Sequence, residues 1–414
     1  MISNEYFTCI EAQICNIDAK QWDAMNTVKQ PFLSHAFLSG LETSACVCKQ
    51  TGWQAQHIVI YQDRTKTTLL AAMPCYLKNH SYGEYIFDWA WADAYHRAGY
   101  EYYPKLSCAT PFTPATTQKW LIHTDADKPA MENALMSALK QHAVDIKVSS
   151  IHALFTESDA APLFTQNNFI QRSSSQFHWH NRNTDTTLAP FEDFNDFLQT
   201  MSSRKRKNIK KERQRVSDQG VSFQWFTGET LSESVADQIF AFYLSTVYRY
   251  GAQQYLNTEF FHHIVKSMPS HTHVLIAYLD GSAVAGGLFF ASDSTLYGRY
   301  WGANADIKDL HFETCYYQPI DYAIKHQFKT FEAGAQGEHK LSRGLLPTTT
   351  YSHHWLADKA FRAAIMNYTE TEAEHIEKYN RALGEHAPFK TNEPNSNQKS
   401  ADHDHHHNKN IIEI

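Results

Sequence analysis

At 414 residues the chain exceeds what one hydrophobic core usually organises, so two domains are expected. A hydrophobic content of 43%, with 14% aromatics, supplies ample material for burial and excludes wholesale disorder. The formal net charge of −7 excludes a surface built throughout to coat nucleic acid, while leaving room for a local basic patch.

The opening stretch "MISNEYFTCIEAQICNID" carries acids and no basic n-region ahead of an apolar core, so it does not read as a secretory signal. Its first part alternates like a strand. "SHAFLSGLETSACV" then reads as a helix capped by Ser34, whose hydroxyl can accept an orphan backbone N–H. Three strand-like runs follow, "AQHIVIYQ", "TTLLAAMPCYL" and "YGEYIFDWAWA", at the short spacing of an antiparallel meander. A Pro- and aromatic-rich loop leads to a helix around "AMENALMSALKQHA", then to strands "VSSIHALF" and "SSQFHWHN" with a short helix between them.

The second half repeats this order. Helices are predicted near 191–215 and 231–249, followed by three strands in "THVLIAYLDGSAVAGGLFFASDSTLYGRYWGANAD", where Asp280-Gly281 is a strong hairpin signal. Both meanders end alike, with Trp91-Ala92-Asp93-Ala94 against Trp301-Gly302-Ala303-Asn304-Ala305. A helix, "ETCYYQPIDYAIKHQ", and a strand, "KTFEAGA", close the repeat. The expectation is an internal duplication giving two similar α+β domains, 1–180 and 181–388, each a mixed, mostly antiparallel sheet flanked by helices. The polar segment 389–414 is expected to be disordered, and its His403, His405, His406 and His407 lack a scaffold that would select a metal.

Seven scattered cysteines, Cys9, Cys15, Cys46, Cys48, Cys75, Cys108 and Cys315, show no disulfide rhythm, and the one C-x-C pair lacks a second half for zinc. Reduced thiols in a cytoplasmic protein fit this usage, and no run of about 18 apolar residues spans a membrane.

Segment 202–215, "SSRKRKNIKKERQR", places Arg204, Lys207, Lys211 and Arg215 on one face if helical, with only Glu212 interrupting the cations. A solvated face is the ordinary reading of such a run. Like charges one turn apart cost about a few tenths of a kcal/mol each, so an uncompensated run favours an anionic partner such as phosphate or RNA. In "FHWHN", His178 and His180 share a strand face, an incomplete metal site or a polar cleft wall. The aromatic block 85–104 could pack a seam or line a cleft. No G-x-S-x-G, H-E-x-x-H or Walker loop is present.

Several separated motifs, in order, resemble the Fem-like N-acyltransferases, a branch of the GNAT superfamily that includes cell-wall non-ribosomal peptidyl transferases of bacteria. "SHAFLSGLE" resembles the family's first helix, and "YGEYIFDWAWADAY", "YYPKL" and "PFTP" resemble the loop block of one bacterial subgroup. "FHWHN" followed by "SSRKRKNIKKER" is similar to the start of the second domain. "LYGRYWGA" and "FEAGAQGEHKLSRGLLPTTTYSHHW" are similar to the closing signature, so the likeness spans most of 34–355. It implies tandem GNAT-like domains and direct transfer of an acyl or aminoacyl group to a small-molecule or peptide amine, with no metal required. The acyl chain would enter where the sheet splays at the end of strand 329–333.

Lys340 falls on the lysine that closes the signature, where a cation would steady a phosphate or the developing oxyanion, with Arg343 supporting it. Glu332, Glu338 and His339 remain alternative bases for the acceptor ammonium. Asp93, Tyr95, His178, Trp301 and Tyr351 would wall the substrate site. The Q/R-x-x-G-x-G/A pyrophosphate loop of ordinary acetyltransferases has no clean copy, so the donor stays open between acyl-CoA and aminoacyl-tRNA, with Arg204, Lys207, Lys211 and Arg215 holding its phosphates. Two rival readings are a non-catalytic duplicate binding RNA or another anion through the basic helix, and a metal hydrolase using His178, His180, His353 and His354.

Overall fold

The structure is a computed structural model, and it describes residues 6–182, 189–334 and 337–390. The first half contributes strands β1 (Phe7–Glu11), β2 (Trp53–Ala55), β3 (His57–Tyr61), β4 (Leu69–Met73), β5 (Tyr76–Lys78), β6 (Lys105–Cys108), β7 (Leu121–Ile122), β8 (Ser150–Thr156) and β9 (Ile170–His180). The second contributes β10 (Ser222–Thr227), β11 (Thr272–Leu279), β12 (Ser282–Ala291), β13 (Thr295–Ala303), β14 (Thr330–Glu332) and β15 (Leu346–Leu356). They assemble into a small sheet, β1-β3-β4-β7, and an eleven-stranded sheet, β10-β11-β12-β13-β14-β9-β15-β8-β6-β5-β2. One bent hairpin serves both sheets: the Gln56 N–H donates to the Cys75 carbonyl at 2.8 Å where β2 passes into β3 and β4 into β5.

The duplication is written in this strand order. In the first half a strand (β6), the helix Lys128–Asp145 and a parallel strand (β8) are followed by β9. In the second half β13, the helical segment ending in Gln318–Lys325 and the parallel strand β14 are followed by β15. Each final strand then crosses over. β9 pairs with β14 and β15, both from the second half, and β15 pairs with β8 and β9, both from the first. At this seam His152 lies opposite His354 in register, with their Nδ1 atoms 2.6 Å apart, so one imidazole donates to the other. This is the mixed α+β architecture expected above, but one sheet is shared by both halves where a separate sheet for each was expected. Sheet and core both continue across residue 180: one buried cluster joins Trp22, Phe32 and Leu38 to Ile239, Phe260 and Phe290.

Several local readings meet the structure directly. Ser34 caps helix His35–Thr43 by accepting the Phe37 N–H at 3.1 Å. Asp280 and Gly281 take φ of 49° and 75°, the paired left-handed geometry of a tight hairpin turn. Gly302 on β13 permits close approach by helix Glu233–Tyr250, because a Cβ there would sit 1.7 Å from the Phe242 carbonyl oxygen.

Others need correction. "YGEYIFDWAWA" is not a strand: residues 81–88 form a loop and Trp89–Arg97 is a helix. Buried Trp91 and Tyr95 are spaced for a helix face, and a chain with Gly83 and Tyr85 at positive φ cannot stay extended. Trp91–Ala94 is therefore no counterpart of the β13 end, and β6 supplies the strand expected there. Helix 191–215 is two helices, Phe194–Gln199 and Ser203–Asp218, broken at residues 200–202. Phe389 and Lys390, assigned to the disordered tail, bridge back to Met201 and Thr200. The tail histidines lie outside the described residues. All seven cysteines are free thiols. No helix of the described residues is long and apolar enough to cross a membrane.

Candidate active site

The parallel pairing of β13 with β14 lasts three residues, Thr295–Tyr297 against Thr330–Glu332. Beyond it β13 runs on to Ala303 while β14 stops, so the two strands part at Gly298 and Ala333. A cavity of about 660 Å³ opens in this parting, lined there by Gly298, Phe331, Ala333 and Gly334. Arg299, Tyr300 and Trp301 of β13 and Gly287 and Phe289 of β12 extend its wall. The C-terminal end of helix Glu233–Tyr250 adds Tyr243, Thr246 and Arg249, and the first half adds the loop Ser81 to Trp89. Four aromatics at this rim, Tyr82, Phe87, Trp89 and Tyr250, are exposed.

Of the predicted residues, Lys340 and Trp301 line the cavity. Lys340 is buried and its ammonium donates to the Gly334 carbonyl at 3.2 Å, which holds it at the strand end. It lies in the 3₁₀ turn Glu338–Arg343, flanked by Gly337 and Gly344 at φ of 111° and 88°. His339 stands behind the lining, its Nε2 2.8 Å from the Tyr316 hydroxyl, and Tyr316 faces the cavity. Burial, aided by the Arg343 and Lys340 charges, pushes the His339 imidazole down to about 4. His311, also lining the cavity, is pushed to about 3 by burial and the charges of the same neighbourhood.

The remaining predicted residues point elsewhere. Exposed Glu338 accepts from the Tyr379 hydroxyl at 2.7 Å. Arg343 is buried against the Phe312 ring, 3.4 Å from its centroid, and pairs with Glu212 at 3.2 Å. Glu332 alternates with Phe331 and so faces away from the cavity, into a buried polar cluster beside His178, at 4.0 Å. Tyr95 stacks on Phe361 at 3.9 Å, Asp93 pairs with Arg97 at 3.0 Å, and Tyr351 sits in the β15 ladder. On the basic helix Ser203–Asp218, Arg204, Lys207 and Lys211 are exposed, whereas Arg215 pairs with Asp309 at 2.5 Å. The opposite face buries Ile209 and Val216, and Arg213 reaches Glu313 at 3.1 Å on the π-helical turn Glu313–Tyr317 that carries Tyr316. The basic face lies outside the cavity lining.

The four histidines of the metal reading do not converge. His353 is opposite Gln171 on β9, seven residues from His178, and its ring stacks on Phe164 at 4.4 Å. Among the described residues no group of three or more His, Cys, Asp or Glu could hold a metal ion.

Burial dominates the Glu332 cluster. It pushes the Glu332 carboxyl up to about 8 and the His178 imidazole down to about 3, so both are neutral near pH 7. A carboxyl that ionises at its usual 4.5 when unfolded but near 8 when folded loses stability as pH rises between those values. Glu332→Gln should therefore flatten the decline in unfolding free energy from pH 5 to 8, by about a few kcal/mol at the alkaline end. Denaturation midpoints of both proteins across that range check this; parallel curves would refute it.

Arg299, His311 and Tyr316 were not singled out from sequence, whereas Tyr85 opens the aromatic block 85–104 read as a possible cleft wall. An arginine inside the apolar strand "LYGRYWGA" was the available signal for the first of them.

Comparison with known proteins bears on this site. A family model, FemAB-like, described as peptidoglycan biosynthesis/recognition, matches residues 13–391. Among solved structures, that of FemX is similar at 12% identity with a TM-score of 0.50, covering 84% of this chain and 98% of that one. The C-terminal domain of a putative lysylphosphatidylglycerol synthetase from Agrobacterium fabrum matches at 7% identity, TM-score 0.49, over 85% and 96% of the two chains. A tandem GNAT protein from the clavulanic acid biosynthesis pathway matches at 11% identity, TM-score 0.42, over 86% and 99%. At these identities the likeness to FemX concerns the fold. A search of the curated proteins found no match.

Proposed function

The chain belongs to the FemAB-like family, and from that premise we propose that it is an N-acyltransferase moving an acyl or aminoacyl group from an activated donor to an amine. The observation that carries this reading is the cavity opening where β13 and β14 part, with the Lys340 ammonium at its edge. An extended acyl group can lie between parted strands, whose backbone groups there are released from the ladder. Phe289, Phe331 and Ala333 offer it apolar walls.

The acceptor nitrogen attacks the acyl carbon, a C–N bond forms, and Lys340 stabilises the tetrahedral oxyanion. Collapse breaks the C–S or C–O bond to the donor. The proton leaving the amine passes to the Tyr316–His339 pair and from there to the departing sulfur or oxygen. His339 can relay this proton but not hold it, because its imidazole is neutral near pH 7 and burial keeps it down at about 4. Glu332, facing the other side of β14, takes no part in this scheme.

The donor is acyl-CoA or aminoacyl-tRNA. Full-length protein should show a raised melting midpoint with one of these classes, since a ligand at 100 times its dissociation constant adds about 2.7 kcal/mol. If tRNA is the donor, the shift should fall steeply with salt and disappear when Lys207 and Lys211 are changed to Glu. A shift with neither class removes the proposal. Binding of tRNA through Lys207 and Lys211 without transfer to any amine would instead favour the non-catalytic duplicate, for which the exposed basic face outside the cavity speaks.

A further inference from the structure

Two cavity-lining groups, one from each half of the chain, stand beside each other short of partners. Arg299 on β13 carries five N–H donors, and the hydrogen bonds it makes both leave from Nη2, to the Phe112 carbonyl and, at 3.5 Å, to the Tyr300 hydroxyl. No carboxylate of the described residues forms an ion pair with it, and Glu332, an acid that feels its charge, is pushed up to about 8 by burial. Its guanidinium is thus fixed against the cavity wall with Nε and Nη1 unengaged.

Tyr85 comes from the loop of the first half. Its backbone sits at φ 59°, a region bulky residues rarely occupy, and its hydroxyl is buried without a hydrogen-bond partner. Burial raises this phenol, while the Arg299 charge and a side-chain interaction with its guanidinium oppose the rise, so the hydroxyl lies beside that cation without a well-formed hydrogen bond. A strained backbone that delivers an orphan hydroxyl next to a cation without a counter-ion is costly to maintain unless a ligand completes the set.

We propose that Arg299 and Tyr85 together bind an oxyanion, a carboxylate or a phosphate, carried by the amine that is acylated. The guanidinium supplies charge and a free N–H donor, and the hydroxyl supplies a further donor to the same group. This rests on the acyl-transfer reading only in calling the bound molecule the acceptor.

Calorimetric titration of full-length protein tests it with matched probes: glycylglycine against glycylglycinamide, and O-phosphoethanolamine against ethanolamine. The acidic member of one pair should bind at least about tenfold more tightly than its neutral partner, and the pair that responds identifies carboxylate or phosphate as the source. That advantage should vanish in Arg299→Met and fall several-fold in Tyr85→Phe. Because the Tyr85 hydroxyl makes no well-formed hydrogen bond within the protein, Tyr85→Phe should melt close to the unaltered protein without ligand, which separates lost binding from lost folding. Equal binding of acidic and neutral members, no binding by either pair, or full retention of the advantage in Tyr85→Phe would each overturn the assignment. Selective binding of an acidic probe by a protein that transfers no acyl group would leave this subsite standing and refute the transferase reading alone.

Discussion

Lys105→Ala should destabilise the chain by about 3–5 kcal/mol, the usual consequence of removing one partner from a buried ion pair. Lys105 is fully buried on β6, and its ammonium reaches Glu84 at 2.6 Å, Asp88 at 2.5 Å and the Ser81 hydroxyl at 2.8 Å. Burial alone would lower Lys105, but the two carboxylates outweigh it and hold the lysine charged. One cation between two acids cannot satisfy both equally. Burial would raise Asp88, yet Lys105 holds it well below the usual carboxylate range, while Glu84 is pushed up. Removing the cation strands both acids inside the protein, and both sit in the loop that forms the first-half wall of the cavity. Chemical denaturation measures the loss. Lys105→Met combined with Glu84→Gln and Asp88→Asn should recover most of it, since a neutral cluster needs no counter-ion. A loss below about 1 kcal/mol in Lys105→Ala would show that the network contributes little.

Lys340→Ala should lower the transfer rate by about 10² to 10³, or about 2.7–4 kcal/mol of transition-state stabilisation, the range for loss of one oxyanion donor. Under the proposed mechanism donor affinity should change much less, because there the charge acts on the tetrahedral oxygen and not on the bound ground state. Single-turnover rates measured beside donor dissociation constants separate the two quantities. A rate within a few-fold of the unaltered protein would remove Lys340 from the chemistry.

How far this site was legible in sequence depends on how local each contact is. The motif around 331–344 drew attention to Lys340, which lies at the strand end beside Gly334. It could not sort Lys340 from Glu338 and His339, because a 3₁₀ turn has three residues per turn and throws consecutive side chains in three directions. Glu338 meets Tyr379, His339 meets Tyr316 and Lys340 meets Gly334. Strand alternation decided Glu332 in the same way, and it needed knowledge of which face of β14 is covered. Arg215 was read onto the basic face by its spacing, yet Asp309, distant in sequence, takes it out of play. Arg299 and Tyr85 acquire meaning only from each other, across the two halves. The order of elements announced the duplication, but the matched Trp91 and Trp301 stretches did not align, since burial at helical spacing overrode local likeness.

The exchanged strands also bear on how the chain acquires its shape as it is made. Everything needed for β8 and β9 leaves the ribosome with the first half, yet β9 has no partner among the strands already synthesised, and one edge of β8 awaits β15. Both edges of an eleven-residue strand stay open until residues 330–356 emerge. The first half therefore cannot finish ahead of the second. The seam is complete only once β14 has met β9 and β15 has met both β9 and β8.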